Sequence, residues 1–344
     1  MTFKHGGLNQ LALKHPEDYL DLSVNINPYG PRKSLSLSSI ELANYPDPHC
    51  QELREVLAKE RGKSPSQFVI GNGATEILWA CARAFLKPND QAIVIKPSFG
   101  EFAAAVKQLG RDLIEYETRE RDGFQIVQEE LDAFLDNVKP RVLYLCNPNS
   151  PSGTFLEPDV IDCLAARHLD CLILLDESFL SLSQQHHKAE AQYRDNVIRI
   201  VSLTKDHAIA AIRLGYAMGA THLIEEIRAE IPVWSVNALA QKIGAQLFED
   251  KSFLERSREF IFRDKATLEA ELDLRKIHRL PSQTVFVMFK DETPQLAERL
   301  FEEHQILIRP CQSYGLDSWY RIAVRPRIDM QRFFSAYDQI KDSP

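Results

Sequence analysis

From about residue 50 to 230 short apolar runs alternate with stretches of helical spacing: Phe68-Val69-Ile70, Ala92 to Ile95, Val142 to Cys146, Cys171 to Leu175 and Ile198 to Leu203. Uninterrupted apolar runs of this length suit strands buried on both faces. Their alternation with helices predicts an α/β fold with a mostly parallel central sheet. Between the first two runs Ile77, Leu78, Cys81, Ala84 and Phe85 recur at helical spacing, which predicts a helix packed on that sheet and starting directly after Gly71-Asn72-Gly73. Beyond residue 235 the texture changes to longer amphipathic helices, including Phe253 to Leu272, and then to strand candidates at Val285 to Phe289, Ile306 to Ile308 and Arg321 to Val324. This predicts a smaller α+β domain. The first 35 residues carry Gly6-Gly7, Asn27-Pro28 and Gly30-Pro31, which predict an extended arm rather than a packed unit. The division expected is an N-terminal arm and small-domain segment over 1–45, a large domain over 46–232 and a small C-terminal domain over 233–344.

Composition narrows the partners. With 344 residues, 44% of them apolar, the chain can bury one large core and a smaller one. The balance of 41 basic against 49 acidic residues, with no basic block, argues against a nucleic-acid or anionic-membrane partner, so an anionic ligand must be gripped locally. The six cysteines are scattered without a Cys-x-x-Cys pair, which points to reduced core thiols and a cytoplasmic compartment. No stretch has the apolar core of a signal peptide or approaches the roughly 20 residues that span a bilayer, so a soluble protein is expected.

The residues able to do chemistry cluster where these runs end. Ser202-Leu203-Thr204-Lys205 is followed by Arg213-Leu214-Gly215-Tyr216. A lysine after a buried strand, with a serine three before and an arginine eight after, suits pyridoxal phosphate: Lys205 would hold it as a Schiff base while Ser202 and Arg213 grip its phosphate. A lysine amine is a useful nucleophile only where burial or neighbouring cations lower its pKa. Taken alone, Lys205 is more simply one solvated lysine, so its company must decide. Gly71-Asn72-Gly73-Ala74-Thr75-Glu76 lies at a strand-to-helix turn, where free N–H groups and the helix dipole form an anion site. Glu76 occupies the place of the third glycine of a dinucleotide fingerprint and no Gly-Lys-Ser/Thr follows, so a phosphate cradle or a simple tight turn are the readings left. Asp176 ends a buried strand, where ligands sit in open α/β sheets, and its carboxylate can pair with a protonated pyridine nitrogen. No histidine pattern beside Asp176-Glu177 suggests a metal. Asn147 to Gly153 is a turn whose amides can reach a ring hydroxyl, and Phe99 can stack on a ring face or simply belong to the core. Arg309 and Arg321 end strand-like runs and suit a carboxylate or phosphate, although Arg325 and Arg327 follow closely and spacing alone does not choose among the four.

Together, Tyr45-Pro46-Asp47-Pro48, the Gly71 to Glu76 turn, Asn147 to Gly153, Asp176 and Ser202/Lys205/Arg213 resemble the fold-type I pyridoxal-phosphate aminotransferases in order and approximate spacing, over nearly the whole chain. Within that superfamily the sequence is similar to the branch containing histidinol-phosphate aminotransferases and threonine-phosphate decarboxylases. It leans to the decarboxylases through His5-Gly6-Gly7, Ser23 to Gly30, Ile308 to Cys311, Tyr314 to Asp317 and Tyr320 to Arg325. The resemblance implies Lys205 for the Schiff base, Asp176 for the pyridinium, Phe99 for stacking, and Gly73, Ala74, Thr75, Ser202 and Arg213 for the cofactor phosphate. It further implies a homodimer in which Tyr45 reaches the phosphate of the partner subunit, Arg321 on the substrate carboxylate, and Arg309, His5 and Asn27 as candidates for a substrate phosphate. Two departures stand out. Ser150 fills the place of the asparagine usual before Pro-Thr-Gly, leaving Asn149 as substitute, and Phe179 replaces the tyrosine of Asp-x-x-Tyr. The implied reaction is decarboxylation of L-threonine O-3-phosphate to (R)-1-amino-2-propanol phosphate, a step in cobalamin side-chain synthesis, with serine phosphate as a close variant. The alternatives are a histidinol-phosphate-type aminotransferase and, in a different class, a non-catalytic pyridoxal-phosphate-binding module.

Overall fold

The computed structural model describes Gly7, residues 15–36 and residues 43–342. Its strands in chain order are β1 (Leu20–Asp21), β2 (Phe68–Gly71), β3 (Gln91–Lys96), β4 (Asp112–Glu117), β5 (Val142–Cys146), β6 (Leu172–Asp176), β7 (Val197–Ser202), β8 (Gly215–Met218), β9 (Phe286–Lys290), β10 (Ile306–Leu307), β11 (Arg309–Pro310) and β12 (Trp319–Ala323). The large sheet runs β2-β8-β7-β6-β5-β3-β4. Pairings from β4 through β3, β5 and β6 to β7 are parallel, and only β8 runs antiparallel to its neighbours β7 and β2. The expected five runs are therefore strands of one mostly parallel sheet. The two it gains, β4 and β8, lack a long apolar run: β4 is an edge strand with no buried residue, and β8 is four residues behind a turn.

Alternate side chains of each strand feed two different cores, as the two-residue period of a strand requires. Val94, Tyr144, Leu174 and Ile198 pack against the helix Ala74–Phe85, while Ile93, Leu143, Ile173 and Leu175 pack on the opposite face with Leu131, Ile161 and Leu164 from two other helices. The helix expected after Gly73 begins there and buries Ile77, Leu78, Cys81 and Phe85, with Ala84 partly covered.

The remaining strands build a second, smaller layer. β11-β12-β9 form an antiparallel sheet, covered by the helices Ser252–Leu274 and Arg327–Asp342. Residues 20–27 are a packed segment where an extended arm was expected. β1 pairs in parallel with β10, Leu20 and Leu22 join the small core, and Arg325 binds the carbonyls of Asp21 and Val24 at 3.0 Å each. The apolar alternation of Leu20 and Leu22 is too short to announce a strand, and its partner lies nearly 300 residues away. All six cysteines are free thiols, five of them buried. No helix among the described residues is long and apolar enough to cross a membrane.

Candidate active site

Three adjacent parallel strands, β5, β6 and β7, end side by side at Cys146, Asp176 and Ser202, and the carboxyl edge they form opens into a cavity of about 250 Å³. Asp176 is 2% exposed. Its Oδ2 accepts from the Tyr144 hydroxyl at 2.9 Å and its Oδ1 from the Ser178 N–H at 3.0 Å. A carboxylate that is hydrogen-bonded but has no cation in direct contact is poised to meet a cationic ring nitrogen. Lys205 follows β7 and donates from Nζ to Ser202 Oγ at 3.2 Å, with the amine 5.3 Å from the centre of the Phe179 ring. Burial lowers its pKa, and the neighbouring Asp176 partly opposes that shift. The sequence requirement for a deprotonatable amine is met by the site itself.

The turn expected to cradle an anion lines the same cavity as the lysine. Gly73, at φ 83, caps the helix Ala74–Phe85 and contributes no side-chain cap, so the first-turn N–H groups face the cavity beside Ala74 and Thr75. The Arg213 guanidinium lies against this turn, and a Cβ on Gly73 would stand 2.5 Å from its Nη2. Arg213 itself takes φ 62, a conformation unusual for a long side chain and found where surroundings over-determine it. Gly215 is equally constrained, since a Cβ there would meet the Ala74 nitrogen at 2.5 Å. Phe99 lines the same cavity, half-buried.

The other wall comes from the small sheet and from residues 23–26. Arg309 on β11 and Arg321 on β12 are cross-strand partners in register, both buried and both lining the cavity. Arg321 donates to Ser150 Oγ at 2.8 Å and to the Ser23 carbonyl at 2.9 Å, and its Nε has no partner. Burial lowers its pKa, Tyr314 opposes that shift, and the facing Arg309 adds a smaller lowering. Two like charges opposite one another destabilise a sheet, so this pairing favours an incoming anion. Arg309 donates to Ser313 Oγ at 2.7 Å.

Two expected site residues, Asn149 and Asn27, land elsewhere. Asn149 spends both amide hydrogens on the Pro97 carbonyl and Ser152 Oγ, each at 2.8 Å, and it is Ser150 that lines the cavity. Asn27 is 1% exposed and donates to the Asp206 carbonyl and to Ser257 Oγ, so it fastens the lysine turn instead of facing substrate. The asparagine that does line the cavity is Asn25, with a buried Oδ1 that has no partner. Tyr45, expected to serve the partner subunit, is 79% exposed, stacked on Trp234 and outside this chain's own cavity, and His5 lies outside the described residues. Sequence reasoning also missed Tyr144, although a tyrosine inside an otherwise apolar strand is itself a signal that its hydroxyl must find a partner.

The aminotransferase class I and II family model matches residues 17–337. The chain belongs to that family. Threonine-phosphate decarboxylase of Salmonella typhimurium is 31% identical over 338 residues, covering 93% of this chain and 91% of the relative. Histidinol-phosphate aminotransferase of Moorella thermoacetica is 26% identical over 338 residues, covering 94% and 86%. The solved histidinol-phosphate aminotransferase of Sinorhizobium meliloti, in complex with pyridoxal-5'-phosphate, superposes with a TM-score of 0.83 at 22% identity, over 97% of this chain and 94% of that one. The fold is that of the fold-type I pyridoxal-phosphate enzymes, and pyridoxal 5'-phosphate is the cofactor. The donor set fits it: a buried amine at Lys205, a satisfied carboxylate at Asp176, an uncapped helix turn with Arg213, and an aromatic face at Phe99.

Proposed function

We propose that this enzyme decarboxylates L-threonine O-3-phosphate to (R)-1-amino-2-propanol phosphate and carbon dioxide, with O-phosphoserine as a close variant. The observation that carries the reading is the charge of the cavity wall. Among the described residues that line it, Lys205, Arg213, Arg309 and Arg321 stand with one carboxylate, Asp176. The cofactor phosphate accounts for Arg213, which leaves Arg321, buried with an unpartnered Nε, to suit a ligand carboxylate, with Arg309 in register beside it to suit a phosphate. Bound in this cavity, pyridoxal phosphate supplies an electron sink for the pair left when a bond to the substrate Cα breaks.

The protein's part is to choose the bond. Arg321, set by Ser150 and the Ser23 carbonyl, suits the substrate carboxylate, and Arg309, opposite it, suits the substrate phosphate. Two anchors fix the rotation about Cα, and a small misplacement changes which bond is aligned for cleavage. Lys205, held near Ser202 with a lowered pKa, delivers the proton that replaces carbon dioxide at Cα. The net change is loss of carbon dioxide and uptake of one proton, and no second substrate is needed. The absence of a phenol at Phe179 and the Salmonella relative support decarboxylation. The Moorella relative favours a second reading, a histidinol-phosphate-type aminotransferase.

We further propose that the enzyme is a homodimer in which exposed Tyr45 serves the partner's cavity. The test of the reaction is incubation of the cofactor-loaded protein with L-threonine O-3-phosphate and no 2-oxo acid. Sustained release of carbon dioxide and aminopropanol phosphate is expected. Absence of release, with conversion of the cofactor to its amine form by histidinol phosphate, would move the assignment to the aminotransferase.

A further inference from the structure

We infer that Glu76 is a positioning residue for the phosphate cradle, bracing its turn from behind while leaving the first-turn N–H groups to the ligand. A helix begins with unpaired N–H groups, and a capping box usually satisfies them in two halves: the N-cap side chain accepts from the third residue, and a glutamate at that third residue reaches back. Here the first half is missing, because the N-cap is Gly73. The second half is kept and displaced by one residue. Glu76 is the third residue of the helix, and its Oε2 accepts from the Asn72 N–H at 2.6 Å.

The same oxygen accepts from Ser235 Oγ at 3.0 Å, so the turn is tied to the segment that leads into the helix Ala238–Gln246. Gly71 makes the room. A Cβ there would stand 2.6 Å from Ile77 Cγ1, displacing the first turn that carries Glu76, and would come into contact with Glu76 Oε2 at 3.4 Å. The arrangement separates two tasks that a serine or aspartate cap would merge. A capping side chain would consume the donors that the cofactor phosphate needs, whereas Glu76 holds Asn72 and stays clear of Ala74 and Thr75, the two residues of the turn that line the cavity. The inference is independent of which reaction the site runs.

A carboxylate beside a phosphate also repels it, so the sign of a substitution at Glu76 is diagnostic. The test is titration of the full chain, stripped of cofactor, with pyridoxal phosphate and separately with pyridoxal, followed by visible absorbance. Glu76→Ala is expected to weaken pyridoxal phosphate about tenfold, the size of one lost hydrogen bond to a charged group, and to leave pyridoxal unchanged. Glu76→Gln keeps the acceptor and is expected to keep wild-type affinity. Ser235→Ala probes the same oxygen from outside the helix and is expected to weaken pyridoxal phosphate in the same direction by less. Equal or tighter binding of pyridoxal phosphate to Glu76→Ala would show that repulsion dominates and would overturn the inference. Equal loss of pyridoxal would reduce Glu76 to a general structural role and overturn it too, as would unchanged affinity in Ser235→Ala.

Discussion

On the large-domain side of the cavity Asp176 already holds two hydrogen bonds and Lys205 rests on Ser202, whereas on the small-domain side Arg321 keeps an unpartnered Nε and faces Arg309 across the same ladder. The first side is satisfied before any ligand arrives, except for the N–H groups and the guanidinium that a phosphate would take. On the second side Arg321 is buried with neutral partners, Ser150, the Ser23 carbonyl and Tyr314, and meets no carboxylate among the described residues. This difference fits the proposed division between a resident cofactor and a visiting substrate. Groups that hold a cofactor through every turnover gain from being pre-organised, while groups that recognise a substrate gain from being left with charge to neutralise. It also implies an uneven cost: the small-domain side gives up stability for recognition.

The comparison is broken most directly at its two central residues. Lys205→Ala removes the amine proposed to hold the cofactor and to deliver the proton, so turnover is expected to fall by at least ~10³-fold and the bound cofactor to lose its visible band. Retained turnover would defeat the assignment of the large-domain side. Arg321→Gln is expected to lower kcat/KM on the order of 10²-fold while cofactor binding persists, since removing one partner of a buried charge pair costs several kcal/mol. In the absence of substrate the thermal midpoint of this variant is expected to hold or rise, because a buried cation with no carboxylate partner among the described residues has been removed. A fall of several degrees would show that Arg321 is structural and that the contrast between the two sides is false. Arg309→Gln is expected to erase the preference for phosphorylated over unphosphorylated amino acids, read as the ratio of their kcat/KM values.

The two sides were also unequally legible in the sequence. Lys205, Asp176 and the Gly73 turn each end an apolar strand, so local pattern and the rule that ligands gather at the carboxyl edge locate them together. The small-domain wall is assembled from residues 23–26 and from strands near residues 309 and 321, and the contact between Arg321 and the Ser23 carbonyl spans 298 positions. No local period reports such a meeting. That is why Asn27 was expected at the substrate and Asn25 overlooked, although they stand two residues apart. The same limit hid β4 and β8, one partly exposed at an edge and the other four residues long, while the two-core α/β framework was readable throughout.

The asparagines turn that error into an experiment on the boundary between the two sides. Asn27→Ala deletes donors to the Asp206 carbonyl and Ser257 Oγ, leaving buried acceptors unmet near the lysine turn, and is expected to cost about 1–3 kcal/mol in denaturant unfolding. Asn25→Ala deletes a side chain whose Oδ1 has no partner, so it is expected to leave stability near wild type and to raise KM. The reverse pattern would return Asn27 to the substrate and remove Asn25 from it.

The smallest effect tests whether every buried cation of the small domain is a recognition group. Lys265 is 2% exposed, outside the cavity, donating to the Ser282 carbonyl and 3.9 Å from Glu269. Burial lowers its pKa from 10.5 to about 8. Between those two values the unfolded lysine holds a proton that the folded one has released, so the unfolded state binds more protons and stability rises with pH. Below about 8 both states are protonated, the slope vanishes and the full penalty remains. The wild type minus Lys265→Met difference in unfolding free energy is therefore expected to climb across that window by no more than about 1.4 kcal/mol per pH unit and to be flat beneath it. Phosphorylated substrate should leave this profile alone, because its charges meet Arg309 and Arg321 and not Lys265. A flat difference throughout would mean that Glu269 and the Ser282 carbonyl compensate the ammonium fully. A buried cation satisfied by the protein would then differ from one awaiting a ligand in energy as well as in position.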